Sequence, residues 1–222
     1  MRQTRRGITL VELLVVVAAL AVLATLFILT LTKGRQQARV QRCQHNLTLL
    51  CKQMYTYLGE YGDNRFLQFP LGRGQRPDDF NGAEWLASLY WVEEVPDPDV
   101  FLCPASGDTN HGGRDLGKRR APPGLFGSQT VSYAGLHYYS FGKTDQSGNP
   151  KGEPIRDDLP PNEPVACDDT QGGINHRGRF YGGMNVIFFD GHVEFKPDTV
   201  VDTTSEHGSV GKEPGLLWRL RN

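Results

Sequence analysis

Hydrophobic and polar residues divide the chain into a short basic leader, a long apolar run and a mixed remainder. Residues 13–32 contain no charged side chain. At about 1.5 Å of rise per residue, a helix of these twenty residues spans about 30 Å, the thickness of a bilayer core. The pattern predicts a membrane-spanning helix over residues 8–32. Glu12 lies in its first turns, where an ionised carboxylate costs a few kcal/mol and needs a specific reason.

An amphipathic pattern continues from the apolar run over residues 33–61. We predict one helix from about Thr9 to Leu58, about 75 Å long, with Gly34 as a candidate bend and Gly59 as a stop signal. One face of its second half is apolar and needs a sheet to cover it. The apolar positions, which recur at steps of three and four, are Val40, Cys43, Leu47, Leu50, Met54, Leu58 and Tyr61.

The remainder, residues 62–222, reads as an α+β head with long loops. Its share of the 26 glycines and 14 prolines favours turns and short strands over a helical bundle. The clearest hairpin is at residues 185–195, where two β-rich runs flank Asp190-Gly191, a preferred two-residue turn. Elsewhere the pattern predicts a short helix at 83–91 and short strands at 100–103, 131–141 and 164–167.

Charge and motifs argue against several function classes. The chain has 24 basic and 25 acidic residues, so no net charge attracts nucleic acid, and we expect none as a partner. It contains no Gly-x-Ser-x-Gly, no His-Glu-x-x-His and no phosphate-binding glycine loop, so we predict no enzyme activity. We also predict no cofactor and no metal. His176, Asp190 and His192 are close in sequence, but zinc and EF-hand spacings are missing.

The run Arg-Arg-Gly-Ile-Thr-Leu-Val-Glu at residues 5–12 resembles the class III signal of type IV prepilins and type II secretion pseudopilins. The resemblance implies cleavage by a prepilin peptidase between Gly7 and Ile8 and methylation of the new amino terminus. Glu12 then becomes the fifth mature residue, and the resemblance implies that it pairs with the amine of a neighbouring subunit. It also implies a pilin-like fold, in which a long helix packs on a small antiparallel sheet.

The same resemblance implies a domain order and a location. The leader is 1–7, the transmembrane helix 8–32, the stalk helix 33–61 and the exported head 62–222. The protein is then a single-pass inner-membrane protein with a cytoplasmic amino terminus and a periplasmic or extracellular head. Charge alone does not set this orientation, because basic residues flank both ends of the span.

The implied function is that of a pilin-like or pseudopilin subunit in a type II secretion or type IV pilus-like filament. Its partners are then the prepilin peptidase, other pilin-like subunits in a homo- or hetero-oligomeric filament, and the inner-membrane assembly platform. The alternative is a membrane-anchored exported binding domain that carries the prepilin signal without polymerising.

A second resemblance concerns the carboxyl-terminal part of the chain. The hairpin resembles the end of a pseudopilin-like family whose signature is His, nine residues, then Asp-Gly. Here thirteen residues separate His176 from Asp190-Gly191, which places about four extra residues around 178–181. Residues 42–47, 69–70 and 101–104 resemble three further landmarks of that family.

Four cysteines in an exported domain indicate disulfides. Cys43 and Cys51 lie eight positions apart on one predicted helix, about 12 Å, which exceeds the limit of about 7 Å between bridged Cα atoms. Two schemes remain: Cys43–Cys103 with Cys51–Cys167, or Cys43–Cys167 with Cys51–Cys103. The alternative to both is four free buried thiols. The second resemblance favours the first scheme, because Cys43 and Cys103 lie in two of its landmarks. The first resemblance also raises calcium in a carboxyl-terminal loop as the alternative to no metal.

Overall fold

The computed structural model describes residues 7–60, 65–66, 82–116, 129–136, 155–156, 159–168, 174–177, 182–198 and 220–221. Within them the chain has the predicted α+β architecture, a long amino-terminal helix packed against a small antiparallel sheet. The helices are α1 (Leu10–Glu60), α2 (Gly82–Trp91) and a 3-10 helix (Pro98–Phe101). The strands β1 to β8 are Arg65–Phe66, Tyr133–Leu136, Ile155–Arg156, Pro164–Asp168, His176–Arg177, Gly182–Phe188, Val193–Pro197 and Leu220–Arg221.

Helix α1 confirms the predicted continuous helix. It runs for 51 residues, passes through Gly34 and Gly59 without a break, and ends at Glu60. Of the described residues, only this helix is long and apolar enough to cross a membrane. Its apolar residues before Thr32 are exposed, whereas its buried residues begin at Val40. They include the predicted stripe positions up to Leu58 and add Asn46 and Cys51. The buried set is Val40, Cys43, Asn46, Leu47, Leu50, Cys51, Met54 and Leu58. Tyr61, the last predicted stripe position, lies outside the described residues.

The main sheet has β6 near its centre. Its order is β5-β6-β4-β2-β8, β7 also pairs with β6, and every pairing is antiparallel. Gly183 of β6 pairs with His176 on one side and with Pro197 on the other. Strand β7 pairs along one edge of β6. Strands β4 and β5 pair one after the other along the opposite edge of β6. The gap between them, after Asp168, therefore faces the middle of β6.

The core forms where the two helices meet this sheet. Helix α1 contacts β4, β6 and β7, and α2 contacts β2 and β8. Large apolar side chains from all these elements are buried together. This packing removes from water the apolar face in the second half of α1, which was predicted to need a sheet to cover it. The largest fully buried side chains are Tyr133, Phe101, Leu47, Leu50, Met54, Leu86, Leu89, Leu116 and Leu136.

The strand predicted at residues 100–103 is wrong, because this segment begins as a 3-10 helix. Asp97 caps it, with its side chain accepting a hydrogen bond from the backbone N–H of Asp99 at 3.0 Å. Pro98 stands at the first helical position, where its fixed φ and missing N–H favour a helix start. The Asp-Pro pair was therefore a stronger local signal than the short apolar run behind it.

The predicted hairpin at 185–195 is present, but its turn differs from the prediction. The backbone N–H of Phe188 donates to the carbonyl of His192 at 3.0 Å, so the loop has three residues, 189–191, instead of two. Gly191 donates to the carbonyl of Phe188 and has φ of +87°. This is the arrangement of a three-residue hairpin, in which only the last loop residue needs a positive φ. The predicted helix at 83–91 and strand at 164–167 are confirmed.

Candidate functional site

The predicted cleavage site lies in non-helical backbone ahead of α1. Residues 7–9 precede the helix, which begins at Leu10, and the side chain of Ile8 is 81% exposed. Apart from its chain neighbours, no heavy atom of the described residues lies within 4 Å of where a Cβ on Gly7 would stand. Within residues 7–60 the predicted cleavage site is therefore uncovered.

Glu12 is held at the start of α1 by Thr9. The Glu12 Oε2 accepts hydrogen bonds from the backbone N–H and the hydroxyl of Thr9, both at 2.8 Å. The Glu12 N–H in turn contacts the Thr9 hydroxyl oxygen at 3.3 Å. This reciprocal arrangement is a capping box, and the positive end of the helix dipole adds to it. The sequence contains the signal, Thr-x-x-Glu at residues 9–12, which the sequence analysis missed.

The apolar half of α1 also satisfies its own polar groups. The hydroxyl of Thr25 donates to the carbonyl of Val22 at 2.7 Å, and that of Thr32 donates to the carbonyl of Ile28 at 2.9 Å. Thr30 bonds back to Phe27 in the same way. A hydroxyl that is bonded within its own helix needs no water, so these threonines are compatible with hydrocarbon.

A disulfide joins α1 to the head. Cys43 and Cys103 are bonded, with their Cα atoms 5.4 Å apart and 60 positions apart in sequence. This is the pair that the second resemblance favours. The companion bridge between Cys51 and Cys167 is wrong, since both cysteines are buried thiols outside any disulfide. The observed Cys43–Cys103 bond also excludes the alternative scheme, Cys43–Cys167 with Cys51–Cys103.

Burial has a chemical effect on Cys51. It raises the pKa of this thiol to about 12, and the charge of Asp190 adds to the shift. At pH 8 the reactive thiolate is then about one molecule in ten thousand. We expect iodoacetamide at pH 8 to leave Cys51 unmodified in the folded protein and to alkylate it in urea, as measured by peptide mass mapping. Rapid alkylation of Cys51 in the folded protein would contradict its buried position.

A buried polar cluster adjoins the disulfide. His176 Nε2 lies 3.7 Å from the Cys103 sulfur and 3.2 Å from Asp168 Oδ2. The same Oδ2 accepts from the backbone N–H of Asn185 at 2.7 Å and from its side-chain Nδ2 at 2.9 Å. Asn185 Nδ2 also lies 3.5 Å from the carbonyl of Val40 on α1. This buried polar cluster therefore lies where four elements meet: the end of β4, the start of β5, the middle of β6 and α1.

A second polar contact fixes α1 near this cluster. Asn46 Nδ2 donates to the carbonyl of Leu102 at 3.1 Å and contacts the Tyr133 hydroxyl at 3.3 Å. Burial raises the pKa of Tyr133 above its ordinary value, and Asp168 adds to the shift. Tyr133 is fully buried in β2, at the start of the strand predicted at 131–141. The neighbouring Tyr138 and Tyr139 lie outside the described residues.

The Asp190-Gly191 turn is a separate, exposed feature. Asp190 Oδ1 accepts from the His192 backbone N–H at 3.0 Å and also contacts the His192 ring, and these bonds lower the pKa of Asp190. The backbone N–H of Asp190 donates to the carbonyl of Pro161, which ties the turn to the segment before β4. The aspartate therefore has the backbone role that is usual for a turn residue.

The two ends of the predicted His-Asp signature do not meet. His176 pairs with Gly183 at the beginning of β6, whereas Asp190 follows the end of that strand. His176 is buried beside the disulfide, and the side chain of Asp190 is 43% exposed. The residues around 178–181, where extra residues were expected, lie outside the described residues, as do residues 69–70. Of the predicted site residues, the structure thus groups Cys43, Cys103 and His176, whereas Asp190 and Gly191 lie in the separate, exposed turn.

Comparison with known proteins identifies one part of the chain. The family model described as the prokaryotic N-terminal methylation motif matches residues 2–28. No curated protein and no solved structure matches the chain. The prediction of a prepilin-type signal is therefore confirmed. This signal implies processing by a prepilin peptidase and association with a membrane, which agrees with the exposed apolar half of α1.

Proposed function

We propose that this protein is a pilin-like or pseudopilin subunit of a type II secretion or type IV pilus-like filament. The observation that carries the proposal is the prepilin-type signal at the head of a single 51-residue helix. The first half of that helix is bare and apolar, and its second half is packed into the head. A subunit of this shape has a membrane anchor before assembly and a core-forming helix afterwards.

In this proposal, processing prepares the assembly contact. Cleavage after Gly7 places a new amine on Ile8, four residues before Glu12. The Glu12 carboxylate of one subunit then pairs with the amine of its neighbour. At 4 Å and an effective dielectric constant near 20, the attraction is about 4 kcal/mol before desolvation. A misplaced subunit leaves a buried charge unpaired, so the contact selects the register.

The Thr9–Glu12 capping box supports this role. It bonds Glu12 through one carboxylate oxygen, Oε2, and it fixes the side chain at the end of the helix where the cleaved amine will lie. Local bonds that hold a charged group in place reduce the entropy that its pairing costs. The capping box is therefore compatible with a contact between subunits and prepares the side chain for it.

The head and the partners follow from the same arrangement. We propose that the amino terminus is cytoplasmic, that the span crosses the inner membrane once, and that the head is periplasmic or extracellular. The disulfide agrees with an oxidising compartment on the head side. The partners are then the prepilin peptidase, the inner-membrane assembly platform and neighbouring subunits of the same or related chains.

The alternative is a membrane-anchored exported binding domain that never polymerises, and one observation favours it. An open cavity of about 420 Å³ lies between α1 and the segment after the 3-10 helix. Its size is in the range of small-ligand pockets. Two guanidinium groups and one carboxylate give it a mixed charge, and its lining is Ala38, Arg39, Arg42, Asn46, Asp99, Leu102 and Pro104.

Two measurements on the wild-type protein test the proposal. We expect the intact mass and amino-terminal sequence of membrane-extracted protein to show a chain that starts at N-methylated Ile8. We also expect amine cross-linking in native membranes to give a ladder of subunits. A chain that still begins at Met1 would contradict processing. A correctly processed chain that remains monomeric at all cross-linker concentrations would favour the binding domain.

A further inference from the structure

Four metal-binding side chains converge beside the helix–head junction. The sulfurs of Cys43 and Cys103, a carboxylate oxygen of Asp168 and a ring nitrogen of His176 lie within 4.8 Å of one another, and all four residues are buried. They come from α1, from the segment after the 3-10 helix, from the end of β4 and from β5. Thiolate, imidazole and carboxylate are the donor types that zinc takes in proteins.

Two distances between these donors are close to those around a tetrahedral ion. With zinc bonds of about 2.3 Å to sulfur and about 2.0–2.2 Å to nitrogen or oxygen, neighbouring ligand atoms stand about 3.3–3.8 Å apart. The distance from His176 Nε2 to the Cys103 sulfur is 3.7 Å, and the distance to Asp168 Oδ2 is 3.2 Å. The two sulfurs are closer because they are bonded, and reduction separates them.

An unpartnered oxygen supplies a second, independent observation. Asp168 is fully buried, and its Oδ1 has no hydrogen-bond partner among the described residues. Its Oδ2 accepts both N–H groups of Asn185, which fixes the orientation of the carboxylate. A buried carboxylate with one unpartnered oxygen is costly, and a cation bound to the carboxylate offsets this cost. Hydrogen bonds of this kind to a ligating carboxylate are typical of metal sites.

The histidine ring is also in contact with Asn185. Its Nε2 lies 3.3 Å from Asn185 Nδ2. A metal ion binds imidazole through a ring nitrogen of the neutral form. The same nitrogen faces the Cys103 sulfur and the Asp168 carboxylate. One asparagine therefore orients two of the four donors.

We propose that these four side chains bind one Zn²⁺ ion when the Cys43–Cys103 disulfide is reduced. A dithiol reductant supplies two electrons and two protons, the S–S bond breaks to give two thiols, and the reductant becomes a disulfide. Zinc then displaces the two thiol protons and binds both thiolates, Asp168 and His176. Helix α1 and the head are thus joined at this cluster in one of two ways: by a disulfide under oxidising conditions, or by a bound zinc ion under reducing conditions.

The test uses the full-length protein in detergent. The disulfide is reduced with a phosphine, the reductant is removed without oxygen, and Zn²⁺ or Co²⁺ is added before desalting. We expect one zinc per reduced chain and none in the oxidised protein. With cobalt, we expect the thiolate charge-transfer absorption of a tetrahedral site. The variants Asp168→Asn and His176→Ala should lower the affinity at least about tenfold, whereas Cys51→Ser, a thiol on the same helix outside the cluster, should bind as the wild type does.

Three results would overturn the proposal. The first is reduced wild-type protein that retains no stoichiometric zinc. The second is equal zinc binding by the oxidised protein, which would place the ion elsewhere. The third applies if reduction loosens the fold. Zinc should then restore the near-ultraviolet circular dichroism spectrum of the oxidised protein. A spectrum of the reduced protein that zinc leaves unchanged would contradict the site.

Discussion

A Glu12→Ala variant is expected to insert into the membrane like the wild type and to be lost from the cross-linked ladder. Removal of the carboxylate makes the span more apolar, so insertion becomes easier. The variant also loses the proposed contact with the amine of the neighbouring Ile8. The attraction before desolvation, about 4 kcal/mol per contact, sets an upper limit of about a thousandfold on the loss in association. The measurement is cross-linking in native membranes, with membrane-fractionated protein as the reference for insertion.

Glu12→Gln separates the charge of this residue from its local bonds. Glutamine can complete a capping box as glutamate does, but it carries no charge to pair with an amine. We therefore expect Glu12→Gln to fail in assembly as Glu12→Ala does. Thr9→Ala removes the capping hydroxyl and keeps the carboxylate, at a cost of about 1 kcal/mol, and should assemble nearly normally. If Glu12→Gln assembles and Thr9→Ala does not, Glu12 is only a helix cap. Amino-terminal sequencing of each variant checks that cleavage still occurs.

Loss of the Cys43–Cys103 bridge is expected to give the largest change in stability. The bond closes a separation of 60 residues, for which the loop-entropy relation gives about 4 kcal/mol. We expect the double variant Cys43→Ala, Cys103→Ala to lower the free energy of unfolding by about this amount. The measurement is denaturant unfolding of the full chain in detergent, followed by tryptophan fluorescence, with a chelator present so that no ion replaces the bridge.

Cys51→Ala is the matched control for this variant. It removes a buried sulfur from the same face of α1 without breaking a bond, so it should cost only about 1 kcal/mol. Chemical reduction of the wild type under the same conditions should reproduce the loss seen in the double variant. A double variant as stable as Cys51→Ala would show that the bridge constrains the chain little.

Helix α1 could be predicted because its signals are local. Its apolar positions recur with the helical period, and the helix continues through Gly34 without a break. The prepilin-type signal was equally local, since its glycine and glutamate are set by spacing within one short segment. The Thr9–Glu12 capping box and the Asp97-Pro98 helix start were just as local. They were missed because hydrophobic pattern was given more weight than capping chemistry.

The polar cluster could not be predicted, because strand register creates it. Asp168 and Asn185 are 17 positions apart, and they meet only because Cys167 pairs with Val186 across β4 and β6. His176 joins them because β5 continues along the edge that β4 leaves. No spacing rule in one sequence connects these positions. The sequence analysis connected His176 with Asp190 instead, since that pair matched a linear signature.

The length of the exposed amino-terminal part of α1 sets the distance between the head and the start of the helix. The buried residues of α1 begin at Val40, so the thirty residues from Leu10 to Arg39 carry no buried side chain. At about 1.5 Å per residue they measure about 45 Å, whereas the hydrocarbon core is about 30 Å thick. In the topology that we propose, the excess is the segment that carries Lys33, Arg35 and Arg39. It would then lie at the depth of the phospholipid headgroups on the side of the head, where long basic side chains reach the polar interface, and it would separate the head from the hydrocarbon.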